Sequence, residues 1–202
     1  MSKLVIAFDG EFSGPFNGVH SLLALGLCAV VYNATGVVSI RSKRVCLAAW
    51  NGDHVFDPKC RDQFWAKEPM ASMLVKFRAE QVPASTGIRD ALAWMDDLIK
   101  EFGVENTRVV CDCPEDVMYF NDYVARGTQH PTLCTFVGHY VGWPWITDDF
   151  YRGLLRTTDA WGLDGRIDKE FELCVPKGDH DPVNDACEIA LRFAGVLSKL
   201  GL

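Results

Sequence analysis

Three clusters of residues in the chain have types and spacings suited to chemistry. Asp9 and Glu11 close the apolar run Leu4-Val5-Ile6-Ala7-Phe8. Alternate residues of a strand point to one side, so both carboxylates project together from the strand's end. Like charges held so close cost energy unless a cation sits between them, although a solvated strand end gives the same pattern. Asp112-Cys113-Pro114-Glu115-Asp116 leads from a short strand into a helix. Asp116 falls in the first helical turn, where the helix dipole alone favours an acid. Phe120 and Tyr123 lie on its side of that helix and turn the face inward. The third cluster, His180-Asp181-Pro182-Val183-Asn184-Asp185, opens a late helix. A loop histidine five residues ahead of a helical carboxylate suits a base beside a metal ligand. Asp181 can cap that helix, but capping accounts for neither His180 nor Asp185.

The elements that must position these residues can be read from the same sequence. Leu4–Phe8, uniformly apolar, predicts a strand covered on both faces. Leu22–Tyr32 and Val37–Val45 predict a hairpin about the turn Asn33-Ala34-Thr35-Gly36, followed by a loop over residues 46–60. Prolines at the first turn open two short helices, Pro58–Lys67 and Pro69–Glu80. Thr86 reads as the N-cap of a helix whose apolar stripe runs through Ile88, Ala91, Leu92, Met95, Leu98, Ile99 and Phe102 to a stop at Gly103. Arg108–Cys111 predicts a strand, Pro114–Arg126 a helix, and Pro182 begins the last helix behind an Asp181 cap. Val183, Ala186, Cys187, Ala190, Ala194 and Leu197 line one face of it. Residues 127–176 carry no clear periodicity. Strands first, then strands alternating with helices, imply an α/β fold: a mixed sheet with helices packed on it.

The chain has 202 residues, 49% hydrophobic and 23% charged, which predicts one globular domain spanning 1–202 and excludes disordered, collagenous and coiled-coil classes. No apolar stretch reaches the roughly 18 residues needed to cross a bilayer, so no membrane partner is expected. The five-residue apolar run behind Met1-Ser2-Lys3 is too short for a signal peptide. Eight cysteines include no Cys-x-x-Cys pair, and Cys28, Cys111 and Cys187 sit in apolar segments as small hydrophobes. The expected location is therefore the reducing cytoplasm. A net charge of −7 excludes a basic nucleic-acid platform, but not nucleic acid itself, since divalent cations can supply the missing charge.

Taken in order, Asp-x-Glu on an early strand, an acid at a strand-to-helix junction and His-x-x-x-x-Asp opening a late helix form a pattern that resembles the DEDDh group of 3′–5′ exonucleases. Phe8-Asp9-Gly10-Glu11-Phe12-Ser13-Gly14 looks like the group's first motif, and His180–Ala186 is similar to its third, with Pro182 where alanine is usual. The resemblance runs from residue 4 to about 197. In the middle motif Asp112 stands where the group has asparagine, while Asp116, Val117 and Phe120 keep the expected spacing. Asp116 is therefore taken as the metal carboxylate, with Asp112 in reserve as an outer partner or as the ligand itself. Phe64-Trp65 also resembles the small bacterial and phage exoribonuclease branch.

The resemblance implies an RNase H-like fold and the removal of nucleotides from a single-stranded 3′ end, with RNA favoured. It implies Asp9, Glu11, Asp116 and Asp185 as ligands of two Mg²⁺ or Mn²⁺ ions per active site, and hard oxygen donors suit those ions. His180 becomes the general base, since an imidazole's ordinary pKa near 6.5 suits proton transfer at neutral pH. Phe12, Ser13 and Trp65 are the expected substrate-binding residues. Phe12 lies beside the scissile nucleotide, while Trp65, Trp143 and Trp145 could stack bases or simply pack the core. Two alternatives stay open: a DNA exonuclease with the same site, and a binding module that has kept the fold without the activity. A homodimer is also left open.

Overall fold

The computed structural model describes residues 2–130, 132–133, 144–146 and 180–202. Among these, strand β1 (Lys3–Phe12) lies at the centre of a five-stranded sheet of order β3-β2-β1-β4-β5. It pairs antiparallel with β2 (Leu22–Asn33), and β2 pairs antiparallel with β3 (Gly36–Cys46). On its other edge it pairs in parallel with β4 (Thr107–Cys111), and β4 in turn with the two-residue β5 (Trp145–Ile146). The mixed α/β sheet is the one the sequence predicts. β1 is longer than its apolar run, so Asp9 and Glu11 lie within the strand and not beyond it.

Strand parity divides the core. Leu4, Ile6 and Phe8 turn to a face covered by α3 (Ala84–Phe102) and α4 (Pro114–Gly127). Val5 and Ala7 turn to the opposite face, where Ala186, Ala190, Phe193, Ala194 and Leu197 of α5 (Pro182–Leu200) pack on Cys28 and Val30 of β2. A fully buried Leu, Ile or Phe contributes about 1.5–3 kcal/mol, and these layers hold the three helices that bracket β1. A smaller cluster under the ends of β2 and β3 joins Leu23, Ala24 and Cys46 to Trp65, Met70 and Phe77. It seats α1 (Pro58–Cys60), a π-helical turn Arg61–Trp65 and α2 (Met70–Glu80).

Helix boundaries follow the sequence closely, with one shift and one change of type. α3 starts two residues before Thr86, because the Pro83 carbonyl accepts from the Thr86 and Gly87 N–H groups at 2.9 and 3.0 Å. That carbonyl makes a hydroxyl cap unnecessary. The expected helix Pro58–Lys67 is a single turn capped by Asp57, whose side chain accepts from Cys60 N, and it widens to π geometry before Trp65. No helix among the described residues is long and apolar enough to cross a membrane.

Candidate active site

Odd-numbered residues of β1 face α5, so the parity that buries Val5 and Ala7 also aims Asp9 and Glu11 at the first turns of that helix. Asp9 lies opposite Gly26 of β2. A Cβ at Gly26 would stand 1.9 Å from the Pro182 carbonyl oxygen and 2.4 Å from the Val183 nitrogen. Only glycine lets the start of α5 lie flat on the sheet there. Asp181 then fixes that start: its Oδ1 accepts from Val183 N at 3.1 Å, and its Oδ2 pairs with Arg44 of β3 at 2.6 Å and Lys76 of α2 at 3.5 Å. Immediately ahead, His180 takes a left-handed backbone (φ 49°), a conformation to which histidine is more tolerant than most residues. Its ring meets the edge of Phe64 at 5.1 Å.

The second cluster, on the strand-to-helix segment, arrives from the other edge of β1. β4 pairs with β1 only over Leu4–Ala7 and then gives way to α4, leaving the rest of that β1 edge open. Gly10 N–H, in the open stretch, donates to Asp116 Oδ1 at 3.0 Å. Asp116 is 3% exposed, and among the described residues its Oδ2 has no hydrogen-bond partner.

These elements enclose a cleft of about 450 Å³ lined by Asp9, Glu11, Asp112, Asp116, His180 and Asp185, among others. Two triads offer ligand atoms within 4.8 Å of one another: Asp9 with Asp112 and Asp116, and Glu11 with His180 and Asp185. The structure thus brings every expected ligand and the expected base into one cleft, and it adds the reserve residue Asp112. The charges crowd. Burial, then Asp116, Asp185 and Asp112, hold the Asp9 carboxyl well above its ordinary pKa, and burial followed by Asp9 does the same to Glu11. Asp116 is pushed up to about 9, again by burial first and Asp112 second. A hard divalent cation fits this donor set: oxygen ligands at close quarters, one of them a buried carboxylate oxygen with nothing to accept.

The expected substrate contacts fare differently. Phe12 borders the cleft and an adjoining pocket of about 450 Å³, its ring stacked on Tyr119 at 4.1 Å. Trp65 does not offer a stacking face: it is 2% exposed, packed among Leu23, Met70 and Phe77, and its Nε1 donates to the Phe12 carbonyl at 2.9 Å. Its role is to hold the backbone of Phe12. The accessible aromatic of the pair is Phe64, which lines the adjoining pocket with Phe12, Lys59 and Gln63. Ser13 is also enclosed, donating to the Val55 carbonyl at 2.6 Å and accepting from Ser21 N at 2.8 Å, so it closes the loop behind β1. Trp145 is exposed on β5, beneath the Arg108 guanidinium; Trp143 lies outside the described residues. Glu188 and Arg192 also line the cleft, unforeseen from sequence. Their signal was present, since they follow Asp185 by three and seven residues on one helical stripe.

No model of a known protein family matches the chain, and no curated protein matches it. Solved structures do. The chain aligns over 98% of its length with cell-death related nuclease 4 (CRN-4), at 14% identity and a TM-score of 0.63, and spans 64% of that chain. It aligns over 96% of its length with the nuclease domain of 3'hExo, a DEDDh family member, bound to rAMP (13% identity, TM-score 0.57, 92% of that chain). E. coli exonuclease I in complex with a dT13 oligonucleotide is matched over 98% of this chain and 40% of that one, at 13% identity and a TM-score of 0.52. The likeness is one of fold. That fold, the RNase H-like sheet of the DEDDh exonuclease group, is the one the three motifs imply.

Proposed function

We propose that the chain is a metal-dependent 3′–5′ exonuclease acting on single-stranded nucleic acid, with RNA ahead of DNA. The observation that carries this reading is the meeting of Asp9, Glu11, Asp116, His180 and Asp185 in one cleft, around a buried carboxylate oxygen left without a partner among the described residues. Structures of the same fold hold a ribonucleotide in one case and a DNA oligonucleotide in another, which supports a nucleic-acid substrate without choosing the sugar. RNA is placed first on the branch resemblance at Phe64-Trp65.

In this reading Asp9, Glu11, Asp116 and Asp185 hold two Mg²⁺ or Mn²⁺ ions, with Asp112 at hand beside Asp116. The ions supply positive charge that offsets the carboxylates and the phosphodiester and makes water more acidic. His180, at the cleft mouth, accepts a proton from the attacking water through a neutral ring nitrogen. The water oxygen bonds to phosphorus, the bond from phosphorus to the 3′ oxygen breaks, and that oxygen takes a proton from solvent. A nucleoside 5′-monophosphate leaves, and the chain keeps a 3′ hydroxyl. Phe12 and Phe64 flank the pocket beside Glu11, which is open to the terminal nucleoside.

Digestion of matched 5′-labelled RNA and DNA oligonucleotides with Mg²⁺, Mn²⁺ or EDTA tests the reading. A ladder shortening from the 3′ end, faster on RNA and abolished by EDTA, is expected. Undiminished hydrolysis in EDTA would end the metal-dependent reading, and no hydrolysis with either ion would leave the chain a binding module.

A further inference from the structure

We propose that Arg192 of α5 holds the backbone phosphate next to the one being cleaved, an assignment that rests on the nuclease reading. The cleft is lined by Asp9, Glu11, Asp112, Asp116, Asp185 and Glu188, and among its described lining residues Arg192 carries the one permanent positive charge. A polyanion entering this cleft needs positive charge at more than one phosphate, and the carboxylate cluster can recruit it only at the scissile one.

Arg192 is placed for the neighbouring phosphate. Asp185, Glu188, Ile189 and Arg192 form one stripe of α5 facing the cleft. Seven residues put the Cα of Arg192 about 10 Å along the helix from that of Asp185. Helical side chains lean toward the N-terminus, and the guanidinium reaches back to Glu188 Oε1 at 2.9 Å. Its charge therefore sits about one turn beyond the Glu11–His180–Asp185 triad, on the side away from the Phe12–Phe64 pocket. A strand whose terminal nucleoside occupies that pocket runs over α5 toward Arg192.

The link to Glu188 is one of the contacts that hold the guanidinium. The two side chains are 33% and 25% exposed, and a helix pair so wet is weak. A phosphate, which a planar guanidinium meets with two parallel hydrogen bonds, can compete for it. Glu188 keeps the long side chain aimed into the cleft until a strand arrives.

Fluorescence anisotropy of a 5′-labelled single-stranded oligonucleotide, with Ca²⁺ in place of Mg²⁺ and across a salt series, tests the assignment. R192Q is expected to weaken binding about 5- to 10-fold and to flatten the slope of log K against log salt by about 0.7, the share of one single-strand phosphate. R192K should keep the slope, and E188Q should bind at least as tightly as the wild type. In turnover, the R192Q loss should fall mainly in KM. Wild-type affinity and slope in R192Q would overturn the proposal, as would equal losses of Tm in R192Q and E188Q with neither slope changed. If R192Q does not fold, wild-type slopes in R192K and tighter binding by E188Q support the assignment, and weaker binding by E188Q overturns it. A wild type that binds no oligonucleotide would remove both this assignment and the nuclease reading; a binding wild type with an unaltered R192Q removes the assignment alone.

Discussion

The two triads of the acidic cluster are built in different ways. Asp9, Asp112 and Asp116 meet where β1 runs past the end of β4, and the central member is buried and tied to the backbone of β1 through Gly10. Glu11, His180 and Asp185 meet only because α5 lands on Gly26, with Arg44 and Lys76 gripping the residue between the histidine and the helix. The first triad joins β1 to the β4–α4 segment; the second joins β1 to the start of α5. Exposure does not follow that division: each triad has one buried member (Asp116, Glu11), one half-buried member (Asp9, Asp185) and one exposed member (Asp112, His180).

Substitutions should expose the difference. Asp116→Asn is expected to take hydrolysis to background with little change in Tm, because an amide keeps the shape and loses the charge; Asp112→Asn should retain a measurable rate. The reverse order would make Asp112 the ligand and shift the middle motif by four residues. In the second triad, His180→Ala should lower turnover on the order of 10²–10⁴-fold, while cation binding, measured by calorimetry, persists. A folded, metal-binding mutant with near wild-type turnover would take His180 out of the mechanism. Gly26→Ala probes docking itself. The added methyl must push back the backbone of Pro182, an overpacking cost of roughly 1–3 kcal/mol, and the displaced triad should lose on the order of 10²-fold in rate. Unchanged rates would show that the second triad tolerates movement of α5.

The smallest effect is on stability. Asp9, Glu11 and Asp116 all have carboxyl groups raised in the folded protein, Asp116 to about 9. Between the ordinary carboxylate range near 4 and those raised values, the folded state binds more protons than the unfolded one. Their contribution to stability is thus complete at low pH and lost as pH rises toward about 9. Melting curves of the metal-free protein should show a falling Tm from about pH 5.5 to about pH 8.5, and Mg²⁺ or Mn²⁺ should raise Tm more at the higher pH. A metal effect equal at both values would mean that the carboxylates ionise without mutual hindrance.

Local rules carried most of the fold. The hairpin, α3, α4 and α5 follow from turn chemistry, apolar periodicity and proline positions, and the three motifs placed their residues in one cleft. Strand parity did the rest: residues that alternate with Val5 and Ala7 had to face whatever covers them. What escaped the sequence were distinctions made by tertiary packing. Trp65 and Phe64 are adjacent aromatics, and only the third dimension says that the first is buried under β2 while the second lines a pocket. Ser13 reads as a motif residue, yet its hydroxyl is spent between Val55 and Ser21. Asp112, held in reserve on the sequence, lies with its ligand atom within 4.8 Å of those of Asp9 and Asp116.

Gly26 and the helix it admits also bear on when the chain becomes able to react. Domains assemble as their elements leave the ribosome, N-terminal parts first, and contacts between distant segments are slow to form. A nascent chain has made β1 through α4, and with them Asp9, Asp112 and Asp116, while His180 and Asp185 are still unmade. Under the proposed chemistry, that intermediate has a cation site and no base. Hydrolytic competence would arrive in one late step, when α5 closes on the sheet, by which time the message has been read past codon 185. Under the proposed chemistry, a chain so built would spend its synthesis beside RNA without the means to cut it.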